Sequence, residues 1–334
     1  MAAQDQSVPS PGKRVLLLGA TGTIGRATAA ALLAHGHHVV CFVRSMPPED
    51  LPNGVIIRCG DVLSATSIKN DGLCGEPFDA IISCMASRTG VAKDAWAIDH
   101  DAHIEALKVG NEALISHFIL LSAICVQHPL LAFQKAKRAF ENKLIASGLT
   151  YSIIRPTAFF KSLSGQVDRV KRGKPYLLFG DGALTACKPI SNGDLAAYIT
   201  GCLDDVSRHN KVLPIGGPGP AITPREQGDY LFGLYGQTPR FTHVPAGLLR
   251  AISSVLGALA RVIPPLASRA ELARIGHYYA TQSMLVRDPE TGLYDADRTP
   301  STGTETLFDY YDRLAKGEQL PNRGTHAVFQ DRKS

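Results

Sequence analysis

Short apolar runs alternate with amphipathic helical patterns through the first 215 residues of the chain. The runs that predict buried strands are Val15–Leu18, His38–Val43, Val55–Arg58, Phe78–Ser83, His117–Leu121, Tyr151–Ile154 and Val212–Ile215. A helical pattern begins near Thr23, and two more cover Trp96–Lys108 and about Leu131–Ser147. A fourth helix is predicted to begin at Asn192 or Asp194, with Ser191 or Asn192 as its cap. This alternation is typical of an α/β fold with a doubly wound parallel sheet of the Rossmann type.

The alternation stops near residue 160 and returns only around 186–216. Helices are expected over Thr223–Leu234, Pro245–Ile263 and Thr304–Lys316, whereas residues 173–182 are rich in glycine and predict turns. We therefore expect a Rossmann core over 13–160 with a return around 186–216. A smaller, mostly C-terminal lobe for the substrate is expected over 161–185 and 217–320. Residues 1–12 are polar and proline-rich, which predicts disorder, and residues 321–334 are expected to form a flexible tail.

Three glycines follow the first predicted strand and open the first predicted helix. Gly19, Gly22 and Gly25 are three residues apart, which predicts a dinucleotide-binding turn. Gly19 permits a tight turn, Gly22 lets the backbone approach the phosphates, and Gly25 lets the helix pack close to the strand. The free N–H groups of the helix start attract the pyrophosphate. The candidate contacts in this turn are Gly19, Thr21, Gly22, Thr23, Ile24 and Gly25.

Further cofactor contacts are expected where the other strands end. Arg44 follows the second strand, where an arginine accommodates a 2′-phosphate, so the sequence predicts NADPH, with Arg26 as a second positive charge. A solvated surface arginine is the alternative. Asp61 and Val62 are expected beside the adenine ring. The carboxyl ends of the later strands and the segment after them place Cys84, Ser122, Pro156 and Phe159 at the cofactor crevice.

Composition narrows the function classes. The 334 residues are 45% hydrophobic and carry a net charge of +5, which favours anionic partners such as nucleotide phosphates or a carboxylate. No basic tract indicates nucleic acid, and no apolar run reaches the length of about 20 residues needed to span a membrane. The seven cysteines are scattered, so we expect no metal site and a cytoplasmic location. Asp99, His100, Asp101 and His103 are expected on a solvated helix face.

The strand–turn–helix pattern over residues 13–215 resembles the short-chain dehydrogenase/reductase superfamily, in its extended or atypical branch. In that superfamily a Tyr-x-x-x-Lys pair follows the fifth strand. The lysine binds the nicotinamide ribose and lowers the pKa of the tyrosine, which then exchanges a proton with the substrate. Here Phe133 stands at the tyrosine position and Lys137 keeps the lysine. Lys137 is the candidate catalytic residue, while the usual carbonyl chemistry is placed in doubt.

Longer stretches resemble one family more specifically. The segments 120–127, 155–163, 187–191, 213–219, 278–284 and 288–292 resemble the NADPH-type divinyl chlorophyllide 8-vinyl reductases, over about residues 14–315. The resemblance implies reduction of a pigment vinyl group to ethyl in (bacterio)chlorophyll synthesis. The pigment, divinyl chlorophyllide or protochlorophyllide, brings its own magnesium. Hydride addition to the terminal vinyl carbon lets the macrocycle delocalise charge, so the proton can come from water or a weak acid.

A flat pigment needs a wide apolar slot and a cation for its carboxylate. The candidate substrate residues are Phe133, Phe160, Lys161, Tyr176, Phe179 and Lys188. For each of these aromatic residues, ordinary core packing is the alternative interpretation.

The helix predicted over 245–263 places Leu248, Leu249, Ile252, Leu256, Leu259 and Ile263 on one face. Packing on the lobe and peripheral contact with a photosynthetic membrane both remain open interpretations.

Two other functions fit the missing tyrosine. One is a non-catalytic NADP(H)-binding sensor or an assembly factor for chlorophyll proteins. The other is a different reductase or isomerase on the same scaffold.

Overall fold

A seven-stranded sheet, in which all neighbouring strands are parallel, forms the centre of the molecule. The computed structural model describes residues 12–47, 51–260, 263 and 266–318. Its central strands are β1 (Arg14–Leu18), β2 (His38–Val43), β3 (Ile56–Cys59), β4 (Ala80–Ser83), β5 (His117–Leu121), β6 (Thr150–Pro156) and, after the lobe strand β7 (Tyr176–Phe179), β8 (Lys211–Ile215). The predicted Rossmann-type sheet is confirmed.

The strand order is β3-β2-β1-β4-β5-β6-β8, so the winding reverses between β1 and β4. In open sheets of this kind, ligands bind outside the carboxyl ends of the strands at this reversal. Alternate residues of β1 face opposite sides of the sheet, as strand geometry requires. Leu17 packs in the apolar cluster on one face, whereas Leu16 and Leu18 pack in the cluster on the other.

Twelve α-helical segments fall within the described residues. They are α1 (Thr23–Ala34), α2 (Ala65–Ser67), α3 (Ala92–Ala95), α4 (Ala102–Glu112), α5 (Ala132–Ile145), α6 (Phe160–Leu163), α7 (Val167–Lys171), α8 (Asn192–Gly201), α9 (Pro224–Leu234), α10 (Ala246–Leu259), α11 (Leu266–Thr281) and α12 (Leu307–Ala315). π-Helical turns cover Ile68–Leu73 and Trp96–Asp101, and short 3₁₀ turns cover Ile124–Gln127, Ser164–Gln166 and Val206–Arg208.

Local chemistry explains several of these helix ends. The Ser191 hydroxyl accepts a hydrogen bond from the Asp194 backbone at the start of α8, so this predicted cap is confirmed. Thr223 and Glu226 form a reciprocal capping box at the start of α9. The helix predicted from Trp96 begins earlier, at Ala92, and runs through the π-helical turn into α4.

The lobe contains two small strand pairs of its own. β7 pairs in parallel with β9 (Phe241–Val244), and β10 (Val286–Arg287) pairs with β11 (Tyr294–Asp295) in antiparallel fashion. The turns expected over 173–182 are present on either side of β7, whereas this strand was not predicted. Gly173, Gly180 and Gly182 do adopt positive φ angles, but a strand lies between the first two of them.

Helix α11 was not predicted from the sequence. It follows two prolines, contains Gly276, and spreads apolar and charged residues around its circumference, so no amphipathic stripe marks it. Parts of the predicted segments lie outside the described residues. They are most of the N-terminal tail (1–11), the tail 321–334, and four positions near the end of the 245–263 helix (261, 262, 264 and 265). Within the described part, no helix has the length and apolar character needed to cross a bilayer.

Candidate active site

The glycine turn lies at the sheet reversal, between the end of β1 and the start of α1. Gly19 has a φ of +78°, and a Cβ there would lie 2.7 Å from the Cys84 carbonyl carbon at the end of β4. A Cβ on Gly25 would lie 2.1 Å from the Gly19 carbonyl oxygen. Both glycines are therefore required by the fold itself, one by the turn and one by close helix packing.

Gly22 differs from the other two glycines. A Cβ on Gly22 would meet the Gly19 carbonyl oxygen at 3.4 Å, an ordinary contact, and no other atom within 4 Å. Gly22 caps α1 with extended backbone, and no side chain accepts the first N–H groups of that helix. An anion is the natural partner for such free N–H groups. The turn therefore fits a dinucleotide pyrophosphate, and Gly22 is the position where a side chain would meet the ligand rather than the protein.

Lys161 reaches this turn from the other side of the crevice. Its ammonium donates a hydrogen bond to the Thr23 hydroxyl at 2.9 Å, although the two residues are 138 positions apart. We expected Lys161 to bind the pigment carboxylate, but its charge lies in the first turn of α1. The geometry therefore associates Lys161 with the phosphate end of the site.

The residues expected around the adenosine lie at the carboxyl ends of β2 and β3. Arg44 directly follows β2 and is exposed, and the Arg26 guanidinium donates to the Thr21 carbonyl oxygen at 3.3 Å. Asp61 is exposed and accepts a hydrogen bond from the Leu63 backbone, whereas Val62 is buried. Val62 belongs to the apolar cluster beneath the sheet, so its side chain packs inward.

The next strands bring three more predicted residues to the same edge. Cys84 follows β4, Ser122 follows β5, and Pro156 ends β6. Burial raises the pKa of the Cys84 thiol to about 12, so the thiol stays neutral. Phe159 lies just beyond, half-buried, and bridges to Ile190.

The Ser122 hydroxyl points away from any cofactor and into the protein. It donates to Glu141 at 2.6 Å, and Glu141 also accepts two hydrogen bonds from the guanidinium of Arg155, one of them at 3.0 Å. All three side chains are buried. This network ties α5 to the ends of β5 and β6, so Ser122 can offer a cofactor its backbone but not its hydroxyl.

Lys137 forms an ion pair with Asp99. Its ammonium lies 3.1 Å from the Asp99 carboxylate, and both side chains are buried, at 7% and 1% exposure. The same Asp99 oxygen accepts the backbone N–H of Ser87, in the loop after β4, at 3.2 Å. The other Asp99 oxygen is buried without a hydrogen-bond partner. The candidate catalytic lysine is therefore held beside the carboxyl end of β4.

A buried histidine adjoins this pair. Burial lowers the pKa of His103 to about 4, with a further lowering from the positive charge of Lys137. The neutral ring donates from Nδ1 to the Ile98 carbonyl oxygen and accepts at Nε2 from the Ser83 hydroxyl, each at 2.8 Å. The expectation of a solvated face is wrong for Asp99 and His103, because both are buried: Asp99 against Lys137 of α5, and His103 between Ser83 of β4 and Phe140 of α5.

Phe133 lies one helical turn before Lys137 on α5 and is half-buried. Gly90, in the loop after β4, lies beside it: a Cβ there would be 3.6 Å from Phe133 and 3.0 Å from Ile275 of α11. These three residues form an apolar surface next to Lys137. Phe133 therefore remains a candidate wall for the pigment.

Two other predicted slot residues belong to the core of the lobe. Phe160 is 3% exposed and packs its ring against Tyr310, and Tyr176 is 4% exposed within β7. Neither offers a surface to a pigment, so these two predictions are wrong and the core alternative holds. Phe179 is half-buried at the end of β7. The Lys188 ammonium donates to the Thr299 carbonyl oxygen at 3.0 Å and ties two segments of the lobe together.

Sequence reasoning missed Asp99 and Glu141 as members of the site. An acidic residue on a helix is ordinarily solvated, and nothing in the local pattern distinguishes Asp99 from its exposed neighbours. The helical register of α5 was a signal for Glu141, which lies one turn after Lys137. Among the described residues, no three His, Cys, Asp or Glu side chains form a group that could hold a metal ion.

Comparisons with known proteins identify the family. Residues 19–206 match the model of a family described as NAD(P)H-binding. A divinyl chlorophyllide a 8-vinyl-reductase of Cucumis sativus is 46% identical, covering 94% of this chain and 79% of its own length. One of Oryza sativa subsp. indica is 47% identical, covering 94% and 82%. An NADPH-dependent quinone oxidoreductase of Escherichia coli shares the fold, with a TM-score of 0.64 at 16% identity, covering 90% and 99%.

Those relatives match nearly the whole chain, well beyond the dinucleotide-binding turn. The family model covers the glycine turn from Gly19 onward and the lysine on α5. The chain therefore belongs to the NAD(P)H-binding reductases and, within them, to the family of divinyl chlorophyllide a 8-vinyl-reductases.

Proposed function

We propose that this chain reduces the 8-vinyl group of divinyl chlorophyllide to an ethyl group, with NADPH as the reductant. The observation that carries the proposal is the match to reductases of that name at 46% identity over 94% of the chain. The structure adds a turn suited to the pyrophosphate and a buried lysine at the same edge of the sheet.

The side chain at position 133 supports reduction of a carbon–carbon double bond. A carbonyl acceptor needs an acid near its oxygen, and Phe133 has no transferable proton. NADPH, when bound, supplies the hydride, which the terminal vinyl carbon accepts. The macrocycle delocalises the resulting negative charge, and the inner carbon takes its proton from water or a weak acid.

Lys137 holds a positive charge at the active edge. Its pairing with Asp99 and its place on a long helix fix the ammonium in one position, so it does not reorganise during turnover. We assign Lys137 to the ribose of the cofactor and to charge stabilisation near the reacting carbons. Asp99 is a positioning residue that acts through Lys137.

The choice of NADPH over NADH rests on the positive charges near the end of β2. Arg44 is exposed at the strand end that normally faces the adenosine ribose, and it forms no ion pair with another described residue. Lys161, hydrogen-bonded to Thr23, adds a charge at the pyrophosphate, which NADPH and NADH share. Arg44 is therefore the contact that favours the more highly charged cofactor.

We assign the pigment to the apolar surface of Phe133 and Ile275, two half-buried residues on either side of the buried Gly90. A macrocycle stacked there would lie beside Lys137. Its magnesium would arrive with the pigment. The lobe, which supplies Ile275 from α11, then serves as the substrate side of the enzyme, and the sheet with its glycine turn as the cofactor side.

The direct test is turnover of the purified chain with NADPH and divinyl chlorophyllide, followed by absorbance in the Soret region and by product mass. We expect a product heavier by two hydrogens, formed in step with NADPH oxidation. Tight NADPH binding without turnover of any vinyl pigment would favour a sensor or assembly factor instead.

A further inference from the structure

Helices α10 and α11 form a hairpin on the lobe. They pack closely: a Cβ on Gly276 of α11 would lie 3.2 Å from the Leu249 side chain of α10. Leu249 and Leu256 are half-buried and Ser253 is buried, so this face of α10 is turned into the protein. The sequence predicted a single apolar face on this helix, but only part of that face packs against the protein, and the rest is exposed.

The adjoining face of α10 is apolar but exposed. Leu248, Ile252, Val255 and Leu259 are 39–59% exposed, and their spacing of four, three and four residues places them on one side of the helix. Leu272 on α11 and Ile263 after α10 are exposed to a similar degree. Seven of the seventeen strongly exposed large apolar side chains in the described ranges lie between residues 248 and 279.

The hairpin carries a net positive charge. Residues 245–279 contain four arginines and one acidic residue, Glu271. Arg250, Arg269 and Arg274 are exposed, and Glu271 pairs with Arg274 at 3.0 Å. An exposed apolar stripe on a positively charged helical hairpin is typical of helices that lie in the interface of an anionic bilayer.

The hairpin also adjoins the active edge. Ile275 lies beside Gly90, and the Tyr278 hydroxyl donates to the Cys125 carbonyl oxygen at 3.3 Å, in the segment that follows β5. A bilayer that covered α10 would therefore lie near the apolar surface that we assign to the pigment.

We propose that the α10–α11 hairpin binds the surface of an anionic lipid bilayer, with Leu248, Ile252, Val255 and Leu259 entering the interface. The net positive charge of the hairpin complements acidic headgroups, and the apolar stripe has no partner among the described residues. The proposal concerns membrane contact and does not require that the chain reduce any pigment.

The test is flotation of the full chain with vesicles of phosphatidylglycerol and phosphatidylcholine, compared with phosphatidylcholine alone. We expect binding to the anionic vesicles that weakens as salt is raised, because surface charges are screened. Leu248→Glu with Val255→Glu should reduce the partition coefficient at least tenfold. The matched control, Val206→Glu with Leu293→Glu, changes two exposed apolar residues elsewhere and should bind like the wild type.

Turnover of detergent-dispersed pigment is measured on the same variants. The double variant Leu248→Glu with Val255→Glu should keep its turnover but bind vesicles weakly. This result would separate membrane contact from the reductase function. Equal vesicle binding by that variant and the wild type would overturn the proposal. A second outcome would also overturn it: the wild type does not bind vesicles and sediments as a dimer, and the double variant sediments as a monomer. In that case a second copy of the chain would cover the hairpin.

Discussion

The Lys137 ammonium and the Asp99 carboxylate lie 3.1 Å apart, and both are almost completely buried. Bringing two charges out of water is costly, and removal of one partner leaves the other uncompensated, at a cost of about 3–5 kcal/mol. A buried ion pair therefore adds little to the free energy of unfolding by itself. Its place beside the loop after β4, one turn from Phe133, supports the proposal that it fixes a charge for the reaction.

Asp99→Asn should lower both the free energy of unfolding and the turnover number. The amide keeps the shape of the carboxylate but no longer balances the lysine, so we expect a loss of about 3 kcal/mol in urea unfolding. Adding Lys137→Met to this variant should restore much of the stability, because no buried charge remains, but none of the turnover. Lys137→Met alone with unchanged turnover and NADPH affinity would remove the catalytic assignment.

Gly22→Ala and Gly19→Ala should fail in different ways. At Gly22 the new methyl group meets one atom at ordinary contact distance, so we expect a normal melting temperature and NADPH affinity at least about tenfold weaker. At Gly19 the methyl group meets the end of β4 and the φ angle is positive, so the fold itself should suffer. Calorimetry and NADPH titration distinguish the two. Unchanged NADPH affinity in Gly22→Ala would place the pyrophosphate elsewhere.

Arg44→Glu should reverse the preference between cofactors. A carboxylate at the end of β2 repels the 2′-phosphate and accepts hydrogen bonds from the ribose hydroxyls of NADH. We expect the ratio of NADPH to NADH affinities to fall at least tenfold, or by about 1.4 kcal/mol. Arg58→Gln, which changes a cation that is already bound to Glu76, is the control and should leave the ratio unchanged. An equal ratio in Arg44→Glu and the wild type would show that Arg44 is solvated.

Acid should destabilise the chain between pH 6.5 and pH 4. Burial and the neighbouring His209 lower the pKa of His117 to about 4, from an ordinary value of 6.5. In that interval His117 is protonated in the unfolded chain but neutral in the folded chain. As the pH falls, each such histidine therefore lowers the free energy of unfolding by up to about 1.4 kcal/mol per pH unit. His117→Gln should make the dependence shallower in urea unfolding at several pH values. A slope as steep as that of the wild type would contradict this origin.

Much of the sheet was predictable because buried parallel strands are apolar throughout and the glycine turn is local. β2 and β5 were predicted to the residue, and the roles of Gly19 and Gly25 follow from backbone contacts that a glycine alone permits. The N-cap at Ser191 likewise depends on residues three positions apart.

The rest depends on contacts between distant segments. Lys161 meets Thr23 across 138 residues, and Phe160 and Tyr176 are buried by α12 and α9, which no local pattern places. Asp99 lies in a π-helical turn and is buried against Lys137 of α5, and α11 divides its contacts between α10 and the segment after β5. Such tertiary contacts decide which charged or aromatic residues face the ligand.

The central claim is that a hydride from NADPH and a proton from solvent together convert the vinyl group to ethyl. The direct measurement is the product mass after turnover of divinyl chlorophyllide with NADPH deuterated at the transferred position, once in H₂O and once in D₂O. The account predicts one deuterium from the cofactor in both solvents, at the terminal carbon, and a second in D₂O at the inner carbon. The measurement is made with NADPH deuterated on one face of the nicotinamide and again with NADPH deuterated on the other. An ethyl product that carries no deuterium from either cofactor would contradict the account.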